Sequence, residues 1–186
     1  MGGGELHFAD NVAGDTGSFL CSYSGPAVIE RNLFDNCAWS FFMSSSTPNV
    51  VLRGNTFVGC GLHLYEPRGG WIVEGNLVTG SAYGIQVQGT LPAGVVVRCN
   101  DTWRNTQNWT NCPDLTGLDG NISAEPLHCD PQNGDFHVAS NSPCLPASNA
   151  CGVQIGAFGQ GCDITPIDPS TWGQIKAAYR GQVGAP

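Results

Sequence analysis

The sequence predicts an all-β solenoid, a parallel β-helix of about four to five coils closed by an irregular C-terminal cap and followed by a short α-helix. Three observations predict it. One phrase returns along the chain as "AVIERNLF", "VVLRGNTF", "WIVEGNLV" and "VVVRCNDT". Aligned on its asparagine, it places Asn32, Asn55, Asn76 and Asn100 at intervals of 23, 21 and 24 residues, with Asn121 a further 21 on. The composition agrees: 26 Gly and 12 Pro in 186 residues, with Asn, Ser and Thr throughout, supply tight corners and leave little helix. A single copy cannot bury its apolar face, whereas stacked copies with two or three short strands each can.

The elements follow in order. Residues 1–27 read as an incomplete first coil with "ELHF" as a strand, and residues 28–107 carry the regular coils, so that 1–107 forms the solenoid body. Three residues before each asparagine stands an aliphatic (Ile29, Leu52, Val73, Val97), and two residues after it come Phe34, Phe57, Val78 and Thr102. Further strand-like pieces lie at "AWSFF" (38–42), "LHLY" (62–65) and "YGIQVQ" (83–88). Equivalent asparagines lie one strand spacing apart, roughly 4.8 Å, so their amides can bond along the stack. Asn also tolerates the left-handed backbone of a corner.

From 108 to 163 the period is lost and Cys, Pro and Asn accumulate, as an irregular cap would require. In the tail, 164–186, Ser170 or Thr171 caps a short helix whose Trp172, Ile175 and Tyr179 share one face, with Gly181 at its stop. The column Val28, Val51, Ile72 and Val96 is apolar beside the inward Ile29 column, so one of the two needs a cover, for which this helix is the candidate. A solenoid needs a cap at each end, and "MGGG" offers none. The reading is therefore a fragment of a longer solenoid, or a first coil covered by self-association with another subunit.

The formal net charge of −8 removes the basic stripe that nucleic acid or an anionic membrane would need. No apolar run spans a bilayer, and "MGGGELHFAD" has neither the basic start nor the apolar stretch of a signal peptide. None of the nine cysteines forms a CxxC pair. They read as disulfides or buried thiols, with disulfides favoured for the five from Cys112 onward and at least one thiol left over.

Through the repeated phrase, and through "GNISAEPLHCDPQNGDFHVASNSPC" and "QIGAFG" (121–159), the chain resembles the right-handed parallel β-helix proteins of the pectin-lyase-like superfamily. The later segment looks like the closing part of many secreted bacterial members. The resemblance implies a secreted, extracellular right-handed β-helix. It leaves activity open, since members include polysaccharide lyases, glycoside hydrolases and adhesins.

Candidate chemistry falls on Glu30, Arg53, Glu74 and Arg98, which stand two residues before the ladder asparagines and alternate in sign. The plain reading is an outward charge ladder that keeps register. The sharper reading is a polysaccharide-cleaving face. Glu30 and Glu74 would lie two coils apart, roughly 9–10 Å, near the upper edge of the inverting glycosidase gap, although Arg53 between them opposes the raised pKa that an acid needs. A lyase would instead use Arg53 or Arg98 as base; resemblance to pectate lyases implies calcium on clustered aspartates, and only Asp101 is at hand. Calcium remains possible, and "DPQNGDF" (130–136) reads as a turn or a calcium loop; no other cofactor is indicated. Trp39, Tyr65, Trp103 and Trp109 are candidate platforms for sugar rings, while Trp71 falls in an inward register. The expected role is a carbohydrate- or surface-associated binding or structural module facing a polysaccharide or cell-surface glycan, with a lyase or inverting hydrolase as the alternative.

Overall fold

The computed structural model describes residues 5–14, 20–21, 25–37, 41–43 and 49–163. The helix predicted in the tail and Trp39 lie outside them. Three parallel sheets, each five strands deep, run side by side along the solenoid. The first stacks β1 (Leu6–Ala9), β4 (Ala27–Glu30), β7 (Val50–Arg53), β10 (Ile72–Glu74) and β13 (Val96–Arg98). The second stacks β2 (Val12–Gly14), β5 (Leu33–Asp35), β8 (Thr56–Val58), β11 (Leu77–Thr79) and β14 (Asp101–Trp103). The third stacks β3 (Leu20–Cys21), β6 (Phe41–Met43), β9 (Leu62–Tyr65), β12 (Tyr83–Gln88) and β15 (Gln107–Thr110). Ile122 bridges in parallel to Asp101 and begins another rung.

The solenoid thus has about six turns rather than the four to five expected. The difference lies at both ends: Ile122 begins a sixth rung, and the first coil, read as incomplete, supplies a strand to each sheet, with Asn11 standing 21 residues before Asn32 and Phe8 three residues ahead of it. Ala9 and Ala13 replace the charge and the bulky residue that mark later copies, so the first copy is hard to see in the sequence. The strand register nonetheless pairs Ala9 with Glu30 and Ala13 with Phe34.

Corners repeat in columns. Asp10, Arg31, Gly54, Gly75 and Cys99 all have φ between 53° and 63° at the bend between the first and second sheets. Asn36, Gly59, Gly80 and Arg104 fill the next bend with φ between 49° and 74°. Gly fills four of these nine corners and Asn one, the residues that take a left-handed backbone at least strain, while Asp10, Arg31, Cys99 and Arg104 adopt it with a side chain present.

The asparagine column is continuous and, from Asn32 to Asn121, fully buried. Each Oδ1 accepts both the backbone N–H and the Nδ2–H of the asparagine one coil earlier. For Asn55 these come from Asn32 at 3.1 and 3.0 Å. Asn55 Nδ2 in turn donates to Asn76 Oδ1 at 2.9 Å and to the Ile29 carbonyl at 2.9 Å. Between the sheets, Ile29, Leu52, Leu62, Leu64, Val73 and Ile85 fill the axis, with Trp71 buried as its register predicts. Phe34 and Phe57 stack in consecutive coils at 4.8 Å between centroids.

The cap carries its own small sheet: β16 (His128–Asp130) runs antiparallel to β17 (Asp135–Ala139), which pairs in parallel with β18 (Gln160–Cys162). Two disulfides hold it, Cys99–Cys151 and Cys129–Cys162. Three of the five cysteines favoured from sequence are therefore bonded, whereas Cys112 and Cys144 are free thiols. The missing partner is Cys99, at a corner of the solenoid. The Cys99–Cys151 bridge links residues 52 apart, which the chain-entropy relation values at about 4 kcal/mol. We expect a C99S/C151S variant to lose stability on that scale in urea titration while keeping its β-rich circular dichroism.

Candidate functional site

The four alternating charges come together as a column. Parallel register places Glu30 opposite Arg53, Arg53 opposite Glu74 and Glu74 opposite Arg98, at the ends of β4, β7, β10 and β13. Arg53 donates to Glu30 at 2.6 Å, and Arg98 pairs with Glu74 at 2.7 Å. Glu30 also receives Arg31 at 2.7 Å and His7 at 3.0 Å, while Arg31 turns its other nitrogens to Asp10. The glutamate lies almost wholly inside this cluster, its side chain 9% exposed, whereas the side chains of Arg53 and Arg98 are about half exposed. The outward ladder expected from alternation is thus a ladder of surface arginines over sunken glutamates.

The electrostatics follow from the contacts. The Arg53 hydrogen bonds, reinforced by His7 and Arg31, hold the Glu30 carboxyl down at about 2 against the opposing effect of burial. Arg31 likewise lowers the carboxyl of Asp10. Glu30 is therefore a fixed anion at any physiological pH and cannot serve as a proton donor.

A cleft of about 390 Å³ opens beside this column. One wall is Glu30, Arg31, Arg53, Gly54, Glu74 and Gly75; the other is Val153, Gln154, Gly156 and Ala157 from the "QIGAFG" segment. That segment is held in place by Gly156 N–H donating to the Gly75 carbonyl at 2.7 Å and Ala157 N–H to Thr56 Oγ1 at 2.9 Å. Ile155 anchors it in a second apolar cluster with Leu77, Val138 and Cys144. Gly156 is required there, since a Cβ would lie 2.8 Å from Thr56 Oγ1 and 3.2 Å from Leu77 Cβ, at a φ of 85°. The sequence marks this segment as a closing motif but gives no sign that it walls the charged column, because the contact joins Thr56 to Ala157 across 101 residues.

The aromatic candidates stand elsewhere. Trp103, half-buried on β14, lines a separate cleft of about 330 Å³ with Thr79, Arg104, Glu125 and His128. Trp109, on β15, donates from Nε1 to Thr116 Oγ1 at 2.9 Å and borders a shallow polar concavity with Gln107, Asn108 and Asp114. Tyr65 ends β9 beside Gln88. Tyr65 and Trp109 thus share the third sheet, Trp103 lies on the second, and none lines the charged cleft.

For calcium, the carboxylates of the 130–136 loop are engaged locally, Asp130 by Asn133 at 2.7 Å and Asp135 by His137 at 2.7 Å. Among the described residues no three His, Cys, Asp or Glu side chains are grouped to hold a metal ion. Asp101 is fully buried, accepting from Ala124 N–H at 3.0 Å and from the Cys144 thiol at 3.5 Å. Burial raises its pKa to about 7. The sequence places it in an ordinary strand position and gives no warning of this.

The chain matches no protein-family model, no curated protein and no solved structure. No helix among the described residues is long and apolar enough to cross a membrane.

Proposed function

We propose that this protein is an extracellular binding or structural module of the right-handed, pectin-lyase-like type, which presents its solenoid surface to a polysaccharide or cell-surface glycan. The observation that carries the reading is the state of Glu30. Two arginines and His7 hold it as an anion with a pKa of about 2, the reverse of the raised pKa that the acid of glycoside hydrolysis needs. Exposed arginines and a half-buried tryptophan are instead suited to contact a glycan without cleaving it. Two disulfides, one within the cap and one joining it to the solenoid, support an oxidising, secreted setting.

The alternative is a polysaccharide-cleaving enzyme, a lyase or inverting hydrolase of the Glu30–Arg53–Glu74–Arg98 face, acting in the 390 Å³ cleft that Arg53 and Glu74 line. It is favoured by the cleft itself, which sets Glu74 opposite a separate wall of backbone. The two readings separate on glycan arrays and on product assays for reducing ends and unsaturated uronates, run with calcium and with chelator. We expect retention without products, and a several-fold loss of retention for Trp103→Ala with little change for Glu74→Ala. Product release that Glu74→Ala abolishes in a folded protein would reverse the assignment.

A further inference from the structure

A second column runs along the solenoid at the bend between the second and third sheets: Cys37, Cys60, Ser81 and Asn105, at intervals of 23, 21 and 24 residues. Its far end is a hydrogen-bonded ladder like that of the asparagines. Ser81 donates from its backbone N–H and its hydroxyl to Asn105 Oδ1 at 3.0 and 2.8 Å, and Asn105 Nδ2 donates to the Val78 carbonyl at 3.0 Å. At its near end two thiols occupy the same positions. Cys60 Sγ donates to the Phe34 carbonyl at 3.3 Å, as Asn105 does to Val78, and the Cys37 thiol lies 3.7 Å from the Ala13 and Asp35 carbonyls.

The register around them is unbroken. Phe34 pairs with Phe57 and Asp35 with Val58, and Asn36 N–H bonds to the Val58 carbonyl at 2.8 Å. Cys37 therefore sits across from Cys60 at about one strand spacing, ~4.8 Å, inside the range of Cα separations that a disulfide bridges. Both residues are buried, at 4% and 3% exposure. The same chain has already oxidised four other cysteines.

We propose that Cys37 and Cys60, held here as adjacent thiols, are a third disulfide site that staples two consecutive coils. In the reaction the Cys60 thiolate attacks a disulfide-class oxidant, small-molecule or protein, breaking its S–S bond and releasing one of its thiols. The Cys37 thiolate then attacks the Cys60 sulfur of the mixed disulfide and releases the second. The two cysteines give up two protons and two electrons, and the oxidant takes both as it becomes two thiols. Both sulfurs are buried from an oxidant in solution, and burial raises the pKa of the Cys60 thiol, so in the folded chain the first attack is slow. The bond closes while the coils assemble, before water is expelled from the corner.

The test uses the full chain secreted into an oxidising compartment, alkylated with iodoacetamide in denaturant and digested with trypsin without reductant. Arg31, Arg53 and Arg68 place Cys37 and Cys60 in separate peptides, 32–53 and 54–68. We expect these two peptides to be recovered linked, to separate on reduction, and to be replaced by an alkylated Cys60 peptide in Cys37→Ser. Recovery of both cysteines alkylated overturns the proposal, as does linkage of either one to Cys21. A second measurement uses chain produced in a reducing cytosol: with oxidised glutathione, the link should form at least tenfold faster in denaturant than in buffer, and equal rates would overturn the assembly-stage route.

Discussion

Asn76→Ala is expected to lower the melting temperature by roughly 10–25 °C or to prevent folding altogether. The asparagine donates to Asn100 Oδ1 at 3.0 Å and to the Leu52 carbonyl at 2.9 Å, and accepts from the backbone and side chain of Asn55 at 3.1 and 2.9 Å. All of these groups lie in the fully buried column. Four net hydrogen bonds at about 1 kcal/mol each, plus about 1–3 kcal/mol for a buried group left unpaired, give roughly 5–7 kcal/mol. That is a large part of the 5–15 kcal/mol typical of a whole domain, and each kcal/mol shifts the melting point by about 2–4 °C at this chain length. Asn11→Ala provides the internal control. Asn11 is solvent-exposed at the end of the ladder, so its loss should cost about 1 kcal/mol or less. Equal effects at the two positions would show that the column does not carry the stability ascribed to it.

A second large effect concerns pH. Asp101 has a folded pKa of about 7 against an ordinary 3.8, the rise coming from burial, so below pH 3.8 both the folded and the unfolded carboxyl hold their proton. As pH rises from there to about 7 the unfolded chain gives up the proton while the folded chain keeps it, and stability falls. Three pH units at about 1.36 kcal/mol each place the loss near 4 kcal/mol, complete once pH passes the folded value. Glu30 acts in the opposite sense, because its folded pKa of about 2 is lowered from 4.5 and its stabilisation is lost as pH falls through that window. The burial-lowered pKa values of His63 and His128 act in that sense too, removing stability as pH falls through their ordinary range. Wild type and Asp101→Asn share Glu30 and both histidines, so their difference isolates the aspartate. Because about 1 kcal/mol of that loss is already incurred at pH 4.5, urea denaturation should find the variant about 3 kcal/mol ahead at pH 7.5 relative to its standing at pH 4.5. A parallel pair of pH profiles would exclude a buried proton at this position.

The parts of this architecture that repeat at short range were legible in the chain. The asparagine column could be read because each copy carries the same neighbours within three residues, and the alternating charges because strand periodicity fixes their face. Asn11 escaped because its flanking alanines carry too little signal. The Cys99–Cys151 bridge escaped because the cap folds back over a corner that the coils alone do not mark. The wall of the charged cleft was hidden for the same reason on a larger scale, since Gly156 and Gly75 meet only when the closing segment returns along the body. The depth of Glu30 also could not be read from alternation, which places a side chain on a face without saying that His7 and Arg31 will close over it.

That returning segment has a consequence for the timing of biosynthesis. The body of the solenoid can assemble coil by coil as it leaves the ribosome, yet the groove beside Arg53 has only one bank until residues 153–157 arrive. A nascent chain paused before Val153 would hold its charges on an open slope. The groove takes its shape only after the closing segment has been made and has folded back onto the coils.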